Sequence, residues 1–456
     1  MSQSFDVTVI GSGPGGVAAA LEAAQLGLST CLIEKDRLGG TCLQVGCIPS
    51  KTFLHAAALL DDLKTAKNFG IETGTVSLNP ASLIQKKQNV IAILEKGIKT
   101  SLEKAKVTVT KGEARFTGPK EITAAGEKIS SKYFILATGS RPRALSQFPF
   151  DGKQIISSTE GLESRNIPKS LVIIGGGVIG VEFASMYSSF GSKVTVVEML
   201  DRLIATEDPE ISKRMEVSLK KRGAGIFLND VVISSERKDG FRLKLKSGPE
   251  INADQILVAI GRSRNTEGLN LEAAGVRVLE NGAVEVNEYL ETSQPGIYAI
   301  GDLIQAPQLA HAASYEGVVA AKNLHKENRI PVDLNLIPNA IYTHPEAASV
   351  GLTVEKAQNE GIASAKEVKM LFGAVGRSHT EGSEEGIAKL VYDGATGKLL
   401  GAHLFGPHVT ELISEMTLAI KAKLTLKDLS EIIHPHPTLA EIFQELSKTN
   451  KTEVLK

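Results

Sequence analysis

A glycine turn of the form Gly-x-Gly-x-x-Gly occurs twice in this 456-residue chain, each time in the same setting. Gly11, Gly13 and Gly16 follow the strand pattern Val7-Thr8-Val9-Ile10 and open a helix pattern over 17–25. Gly175, Gly177 and Gly180 follow the apolar run 171–174 and open a helix pattern that reaches Phe190. In both copies a second short strand, 29–33 or 193–197, ends at an acid, Glu34 or Glu198, 23 positions after the first glycine. A lone glycine-rich loop says little, but a strand before it, a helix after it and an acid ending the next strand are the confirming contexts. The first glycine permits the tight turn, the second lets the backbone approach a pyrophosphate, and the third lets helix and strand pack closely. The helix N-terminus stabilises the phosphate charge, and the acid accepts hydrogen bonds from a ribose diol. The pattern predicts two βαβ units, each with its own dinucleotide.

Directly after the first copy comes the run 39–51, Gly-Gly-Thr-Cys-Leu-Gln-Val-Gly-Cys-Ile-Pro-Ser-Lys, with Cys42 and Cys47 five residues apart. Closing so short a loop removes little entropy from the unfolded chain, so stabilisation is a poor reason for the pair. A disulfide that opens and closes beside an electron carrier is the better reason. Pro49 marks a helix start, which places Cys47 where the helix dipole and Lys51 favour a thiolate. Two dinucleotides and a dithiol together form an electron relay. The cysteines follow the first copy, so that copy is expected to hold a flavin nucleotide (FAD) and the second a nicotinamide nucleotide (NAD).

Only one other cysteine occurs, Cys31, inside an apolar stretch where it reads as a small buried hydrophobe. Cysteine this sparse suits a reducing compartment. A net charge of -1 offers no field for nucleic acid or an anionic membrane. No apolar run reaches the roughly 18 residues of a membrane span. The first strand pattern starts almost at Met1, so no targeting segment is expected and a cytoplasmic location is.

About three domains are expected from the length. A long helix opens at Asn79-Pro80, with Ile84, Ile91, Leu94, Ile98 and Leu102 on one face. Buried strands at 133–136, 255–260 and 296–300 each run into a glycine-containing stop, so the second copy reads as inserted into the first domain. The expected units are 1–147 with 275–335, then 148–274, then 336–456. The last has α+β texture, with hairpin strands at 386–392 and 398–405 and an amphipathic helix over 409–422. Near the end, His436 stands five residues before Glu441, a spacing at which a base and its orienting carboxylate can meet. Pro435 and Pro437 make this a rigid loop rather than a helix. By itself the His-x-His pattern fits a surface loop or an opportunistic metal site equally well, although no third ligand stands at the usual spacing for a dedicated metal.

Taken together, the run 39–51, Ala-Thr-Gly-Ser at 137–140, Tyr-Ala-Ile-Gly-Asp at 298–302 and His-Pro-His-Pro-Thr-Leu-Ala-Glu at 434–441 resemble the flavoprotein pyridine nucleotide-disulfide oxidoreductases. The likeness covers essentially the whole chain, in order, and is nearest to the dihydrolipoamide dehydrogenase branch. It implies an α/β fold of two Rossmann-like domains, one for FAD (1–147 and 275–335) and one for NAD (148–274), with a C-terminal α+β dimerisation domain (336–456). It implies that Cys47 faces the flavin, that Cys42 exchanges with lipoamide, and that Lys51 pairs with Glu182 beside the flavin ring. Asp302 would hold the ribityl chain or diphosphate region. Ala114 and Ala310 match loops touching the flavin nucleotide, and Gly139 and Gly261 join the cofactor-binding set. His436, held by Glu441, would be the acid/base and would reach the cysteines of a second subunit, so a homodimer is implied. Gln44 stands where asparagine is usual, Pro435 and Ala440 replace alanine and serine, and Arg264 replaces a common proline.

The expected reaction is oxidation of dihydrolipoamide with NAD as acceptor. Mercuric reductases carry an extra C-terminal cysteine pair, and soluble transhydrogenases lack the dithiol. Glutathione-type reductases carry an arginine cluster for a 2′-phosphate, which Glu198 would repel; Arg202 alone does not outweigh that acid. Because the sequence shows no lipoyl domain, the lipoyl group would come from an acyltransferase (E2) of a 2-oxo acid dehydrogenase complex or from the glycine-cleavage H-protein. Two other readings are an NAD-linked reductase of a different disulfide and a non-catalytic dinucleotide-binding scaffold with an inert bridge. A long-wavelength thiolate–flavin band on adding NADH separates the relay from the scaffold.

Overall fold

Each fingerprint forms the expected strand, turn and helix in the computed structural model, which describes residues 3–448 apart from 326, 328 and 335. The first strand, Gln3–Ile10, lies between Thr30–Glu34 and Glu127–Leu136, with Thr108–Lys111 beyond Thr30–Glu34, all parallel. Glu121–Ala124 and Arg115–Gly118 extend the same sheet as an antiparallel meander. Ile297–Ala299, from far along the chain, pairs in parallel with Glu127–Leu136. Strands buried on both faces read as near-continuous apolar runs: 134–136 is apolar throughout, and 7–10 is broken only by Thr8, whose hydroxyl pairs with Ser131 Oγ at 2.6 Å.

The helix Pro14–Gln25 packs against Ala310–Asn323 at a crossing of small residues. A Cβ added at Gly317 would lie 2.3 Å from the Gly15 carbonyl oxygen, so the two backbones touch. One hydrophobic core joins Val7, Leu32, Phe134, Tyr298 and Val319. Thus residues from both 1–147 and 275–335 share a sheet and a core.

The second sheet runs Gly225–Phe227, Lys193–Val197, Ser170–Ile174, Gln255–Val258, Ile155–Ile156, parallel throughout. A three-stranded antiparallel layer, Val232–Lys238, Gly240–Leu245 and Glu250–Ala253, packs its apolar side on it. The chain passes into this unit along Ser140–Pro142 and out along Arg262–Arg264, and those two segments pair with each other. A third sheet, antiparallel, is ordered Asn339–Ile341, Glu346–Gly351, Leu399–Gly406, Ile387–Asp393, Ala365–Leu371. The helix Val409–Lys421 covers it through Val409, Ile413, Met416 and Ala419. Lys389, almost wholly buried, meets Asp208 at 2.9 Å and Glu367 at 3.2 Å, tying the third unit to the second.

The helix after Asn79 is Pro80–Lys104, capped by the Asn79 side chain, which accepts from Ser82 N at 3.1 Å. Its buried face differs from the expected one: Leu94 drops out, and Leu83 and Lys87 join Ile84, Ile91 and Leu102. Leu94 is 41% exposed, while Lys87, two turns nearer the N-terminus, is wholly buried. The Lys87 ammonium donates to Leu162 O at 2.9 Å and to the Glu163 carboxylate, which removes the cost of an unpaired buried charge. No helix among the described residues is long and apolar enough to cross a membrane. Residues 335 and 449–456, which the sequence reading assigns to the second segment of the first unit and to the last unit, lie outside the described residues.

Candidate active site

The two glycine turns are built alike, and their geometry separates packing glycines from a ligand-facing one. Gly11 and Gly175 have φ of 102° and 109°, left-handed values that a side chain resists. A Cβ on them would lie 2.3 Å from Ala137 O and 2.4 Å from Ala259 O. A Cβ on Gly16 or Gly180 would lie 1.8 Å or 2.0 Å from the carbonyl oxygen of Gly11 or Gly175. At Gly13 and Gly177, by contrast, it would meet no protein atom within 4 Å. These middle glycines open onto free space at a helix N-terminus, which is the cradle a pyrophosphate fits.

Each acid is fastened back to its own turn. Glu34 accepts from Ser12 N at 2.8 Å, Ser12 Oγ at 2.6 Å and Asp36 N at 2.9 Å. Glu198 accepts from Gly176 N at 2.5 Å and Leu200 N at 2.8 Å. Their orientation is therefore fixed, with both carboxylates at the wall of the same cavity.

That cavity measures about 1610 Å³. Single small-molecule pockets are usually about 300–1,000 Å³, so this one has room for two dinucleotides. Gly11, Gly13, Gly16, Glu34, Ala114, Gly139 and Ala310 line it on the first unit's side. Gly177, Glu198, Gly261 and Glu182 line it on the second's, while Gly175 and Gly180 stand just behind, in the turn. Cys42, Cys47, Lys51 and Asp302 line the same cavity, and Lys51 and Asp302 reach Glu182 and Arg262 of the second side.

Cys42 sits in the short helix Gly40–Gln44, and Cys47 is the first residue of Cys47–Thr65, after Gly46 as N-cap. Both are free thiols, hydrogen-bonded to each other. That bond holds Cys47 down to about 7, with help from the Lys51 charge and against burial and Glu182. The same bond, with burial, pushes Cys42 far up. The thiolate of the pair therefore belongs on Cys47.

Lys51 Nζ lies 2.9 and 3.0 Å from the two oxygens of Glu182. Burial acts to lower the lysine, but the adjacent carboxylate outweighs it and the net shift is upward. Ser140 Oγ donates to the Asp302 carboxylate, and Arg262 donates to Ser140 Oγ at 2.6 Å and to Ser140 O at 2.7 Å. Arg262 Nε is also 3.7 Å from Asp302. Ser140 and Arg262 lie on the paired segments joining the first two units, so that joint braces Asp302. Sequence reading gave neither a role; their signal was the position of each beside a strand-ending glycine.

His436 and Glu441 meet as their spacing predicts, Nδ1 to Oε1 at 2.8 Å, but neither lines the cavity that holds the thiols. Two residues earlier, His434 Nε2 meets Glu415 Oε1 at 2.9 Å and anchors the loop to the helix Val409–Lys421. The unusual residues each find a place. Gln44 donates to Leu38 O at 2.7 Å, Arg264 to Asn281 O and Ile304 O at 3.2 Å, and Pro435 O accepts from Thr438 Oγ1 at 2.9 Å. Ala440 presents its carbonyl to Phe443 N at 3.1 Å.

Known proteins match this arrangement from end to end. The pyridine nucleotide-disulphide oxidoreductase family matches residues 5–317, and its dimerisation domain matches residues 337–447. A dihydrolipoyl dehydrogenase from Bacillus subtilis is 42% identical over 464 residues, covering 98% of each chain. One from Thermus scotoductus is also 42% identical, covering 98% of this chain and 97% of its own. Among solved structures, LpdA from Mycobacterium tuberculosis superposes with a TM-score of 0.91 at 26% identity, covering 98% of this chain and 99% of that one. The HOCl-induced flavoprotein disulfide reductase RclA from Escherichia coli gives 0.88 at 28%, covering 98% and 100%. With its paired fingerprints, its dithiol and its full-length relatives, the chain belongs to the pyridine nucleotide-disulphide oxidoreductase family, on the branch of the dihydrolipoyl dehydrogenases.

Proposed function

We propose that the chain oxidises protein-bound dihydrolipoamide with NAD as acceptor, as the E3 component of 2-oxo acid dehydrogenase complexes or of glycine cleavage. The observation that carries this reading is the shared cavity: Cys42 and Cys47 line the same cavity as two glycine cradles whose middle glycines face open space. In this reading 1–147 with 275–335 binds FAD, 148–274 binds NAD and 336–456 forms the dimer.

The cycle starts from the Cys42–Cys47 disulfide. A substrate thiolate attacks Cys42 Sγ; the S–S bond breaks, a mixed disulfide forms on Cys42, and the electron pair leaves on Cys47 as thiolate. The second substrate thiolate attacks the substrate sulfur of the mixed disulfide, closing the lipoamide ring and releasing Cys42. His436, oriented by Glu441 and supplied by the second subunit, takes the proton from the attacking thiol. That His436 is exposed and does not line its own chain's cavity supports this role. Lys51 neutralises the negative charge that gathers at Cys47. FAD, when bound, supplies the two-electron store that links this dithiol to NAD. Asp302, Ala114, Gly139 and Ala310 hold that flavin nucleotide; Glu34 and Glu198 hold the ribose diols, and Gly261 flanks the nicotinamide nucleotide.

The lipoyl group arrives on an E2 acyltransferase or on the glycine-cleavage H-protein, and neither nucleic acid nor a membrane is a partner. The three cysteines among 456 residues support a reducing compartment, the cytoplasm. NADH formation with dihydrolipoamide and NAD, run beside reduced glutathione, tests the assignment. Rapid turnover is expected with dihydrolipoamide only, and equal or faster turnover with glutathione overturns it.

A further inference from the structure

The segment joining the strand Asn339–Ile341 to Glu346–Gly351 reaches out of the third unit and onto the redox centre. Tyr342 N donates to Glu182 Oε1 at 3.1 Å, the carboxylate that also binds Lys51. The Tyr342 ring lies over the same lysine, with Nζ 4.5 Å from the ring centroid. His344 N then approaches Ser185 Oγ at 3.4 Å, and His344 O accepts from Arg222. The ring is therefore held from both sides of its own backbone, and its half-buried face closes over an ammonium otherwise bounded by Glu182 and open to the cavity.

We propose that Tyr342 is a positioning residue for the redox chemistry: its ring pins the Lys51 ammonium between Glu182 and the Cys47 sulfur, and so sets how readily Cys47 holds a negative charge. This deepens the function proposed above, because it concerns the thiolate of that same site. Two physical effects act together. The negative face of an aromatic ring attracts a cation, more strongly where the cation has lost water. Covering the ammonium also keeps solvent from screening its field at the thiolate, which strengthens every charge interaction there. The groups facing Cys47 are Cys42 from the preceding helix, Lys51 on its own helix, Glu182 from Val178–Ser189 and Arg262 from the joining strand. In the dimer proposed above, His436 of a second copy would join them. Lys51 is the cation whose position Tyr342 controls directly.

A consequence is that the dimer-forming unit contributes to the electrostatics of the thiols through a residue of the same chain, separately from the histidine it lends to its partner. The function proposed above does not by itself require this.

The test is a pH titration of the long-wavelength thiolate–flavin absorbance in the flavin-loaded protein, in a Cys42→Ala background where Cys47 is the only thiol of the pair. Neither lipoamide nor NAD is involved, so an error in the substrate assignment leaves the result untouched. Tyr342→Phe, which keeps the ring, should leave the midpoint within about 0.2 pH units. Tyr342→Leu should raise it by about 0.5–1 unit, a 3- to 10-fold loss of thiolate at a fixed pH below the midpoint. In a Lys51→Met background, Tyr342→Leu should change the midpoint no further, because two residues acting through one contact are not additive. An unmoved midpoint in Tyr342→Leu, an equal shift in Tyr342→Phe, or a shift that persists without Lys51 would each overturn the proposal. Should Tyr342→Leu fail to fold as a flavoprotein, Tyr342→Met carries the same comparison.

Discussion

His436 and Glu441 form a close pair, Nδ1 to Oε1 at 2.8 Å, in which the histidine side chain is 80% exposed and the carboxylate only 15%. A pair that served stability alone would gain little with one partner in solvent. Here the buried member fixes the exposed one, leaving Nε2 free to meet a group that the chain's own cavity does not bring to it. In the proposed dimer that group is the substrate thiol at the partner's Cys42.

Replacing His436 by glutamine is expected to leave flavin binding and dimer formation intact and to lower dihydrolipoamide turnover by about 10²- to 10⁴-fold, the usual contribution of a positioned base. Glu441→Gln should cost less, about tenfold, since the imidazole remains but loses its orienting charge. Steady-state kinetics beside absorption at the flavin bands would check both. Near-normal turnover in His436→Gln removes the histidine from the mechanism.

How much of this was legible in the sequence follows from the distance over which each feature is encoded. The turns at Gly11 and Gly175, the acids Glu34 and Glu198 and the loop at His436 are local patterns, in which backbone sterics and a few neighbours decide the geometry. Lys51 with Glu182 came only through the family resemblance, since no local rule links residues in different units. Tyr342 over Lys51, and Arg262 with Ser140 around Asp302, had no such pattern, because they arise from how three units dock. Lys87, buried on the same face as Ile84 and Ile91, shows a second limit: a helical stripe can admit a lysine when a carbonyl and a carboxylate, here at Leu162 and Glu163, wait at the far end of its stem.

The two kinds of glycine in each turn predict two kinds of variant. Gly177→Val places its side chain in open space, so thermal stability should change by no more than about 1 kcal/mol, the scale of a backbone entropy effect. That side chain occupies the pyrophosphate cradle, so NADH should no longer reduce the flavin while the protein stays yellow. Gly180→Ala sets its Cβ 2.0 Å from Gly175 O and must displace backbone, so it should lower stability before any effect on binding is seen. Thermal unfolding and anaerobic NADH titration of both variants distinguish them; a stable Gly180→Ala would contradict the packing argument.

The Cys47 thiol is held down to about 7, first by its bond from Cys42 and then by Lys51. The two-electron-reduced protein should therefore show its long-wavelength thiolate–flavin absorbance above about pH 7 and lose it as pH falls through that value. Cys42→Ala removes the largest of the lowering interactions, so the midpoint should move upward, toward the ordinary thiol range of about 8.5. A spectrophotometric pH titration reads both. A midpoint that stays put, or moves down, in Cys42→Ala would show that the inter-thiol bond does not set the charge on Cys47.

Glu316 has no exposed surface; one oxygen accepts from Gly301 N at 2.6 Å and the other has no partner among the described residues. Burial, with a smaller push from Asp302, raises it to about 7 against the Gly301 bond. The folded value thus lies above the unfolded one, so between about pH 4.5 and 7 the native state holds more protons than the unfolded state. Stability from this group is full below the unfolded value and is lost as pH rises through the folded one, on the order of 3 kcal/mol in total. Glu316→Gln keeps an acceptor for Gly301 N but carries no charge to bury. It should raise the unfolding temperature by a few degrees at pH 8 and bring little gain at pH 5, where the wild-type carboxyl is already protonated. Thermal unfolding of the two proteins at both pH values checks the sign, and an equal gain at pH 5 and pH 8 would mean that shape rather than charge governs this site. Because Glu316 braces the turn that carries Asp302, a charge-dependent result would also make flavin retention pH-dependent in wild type and less so in Glu316→Gln, measurable as free flavin released on standing at pH 5 and pH 8.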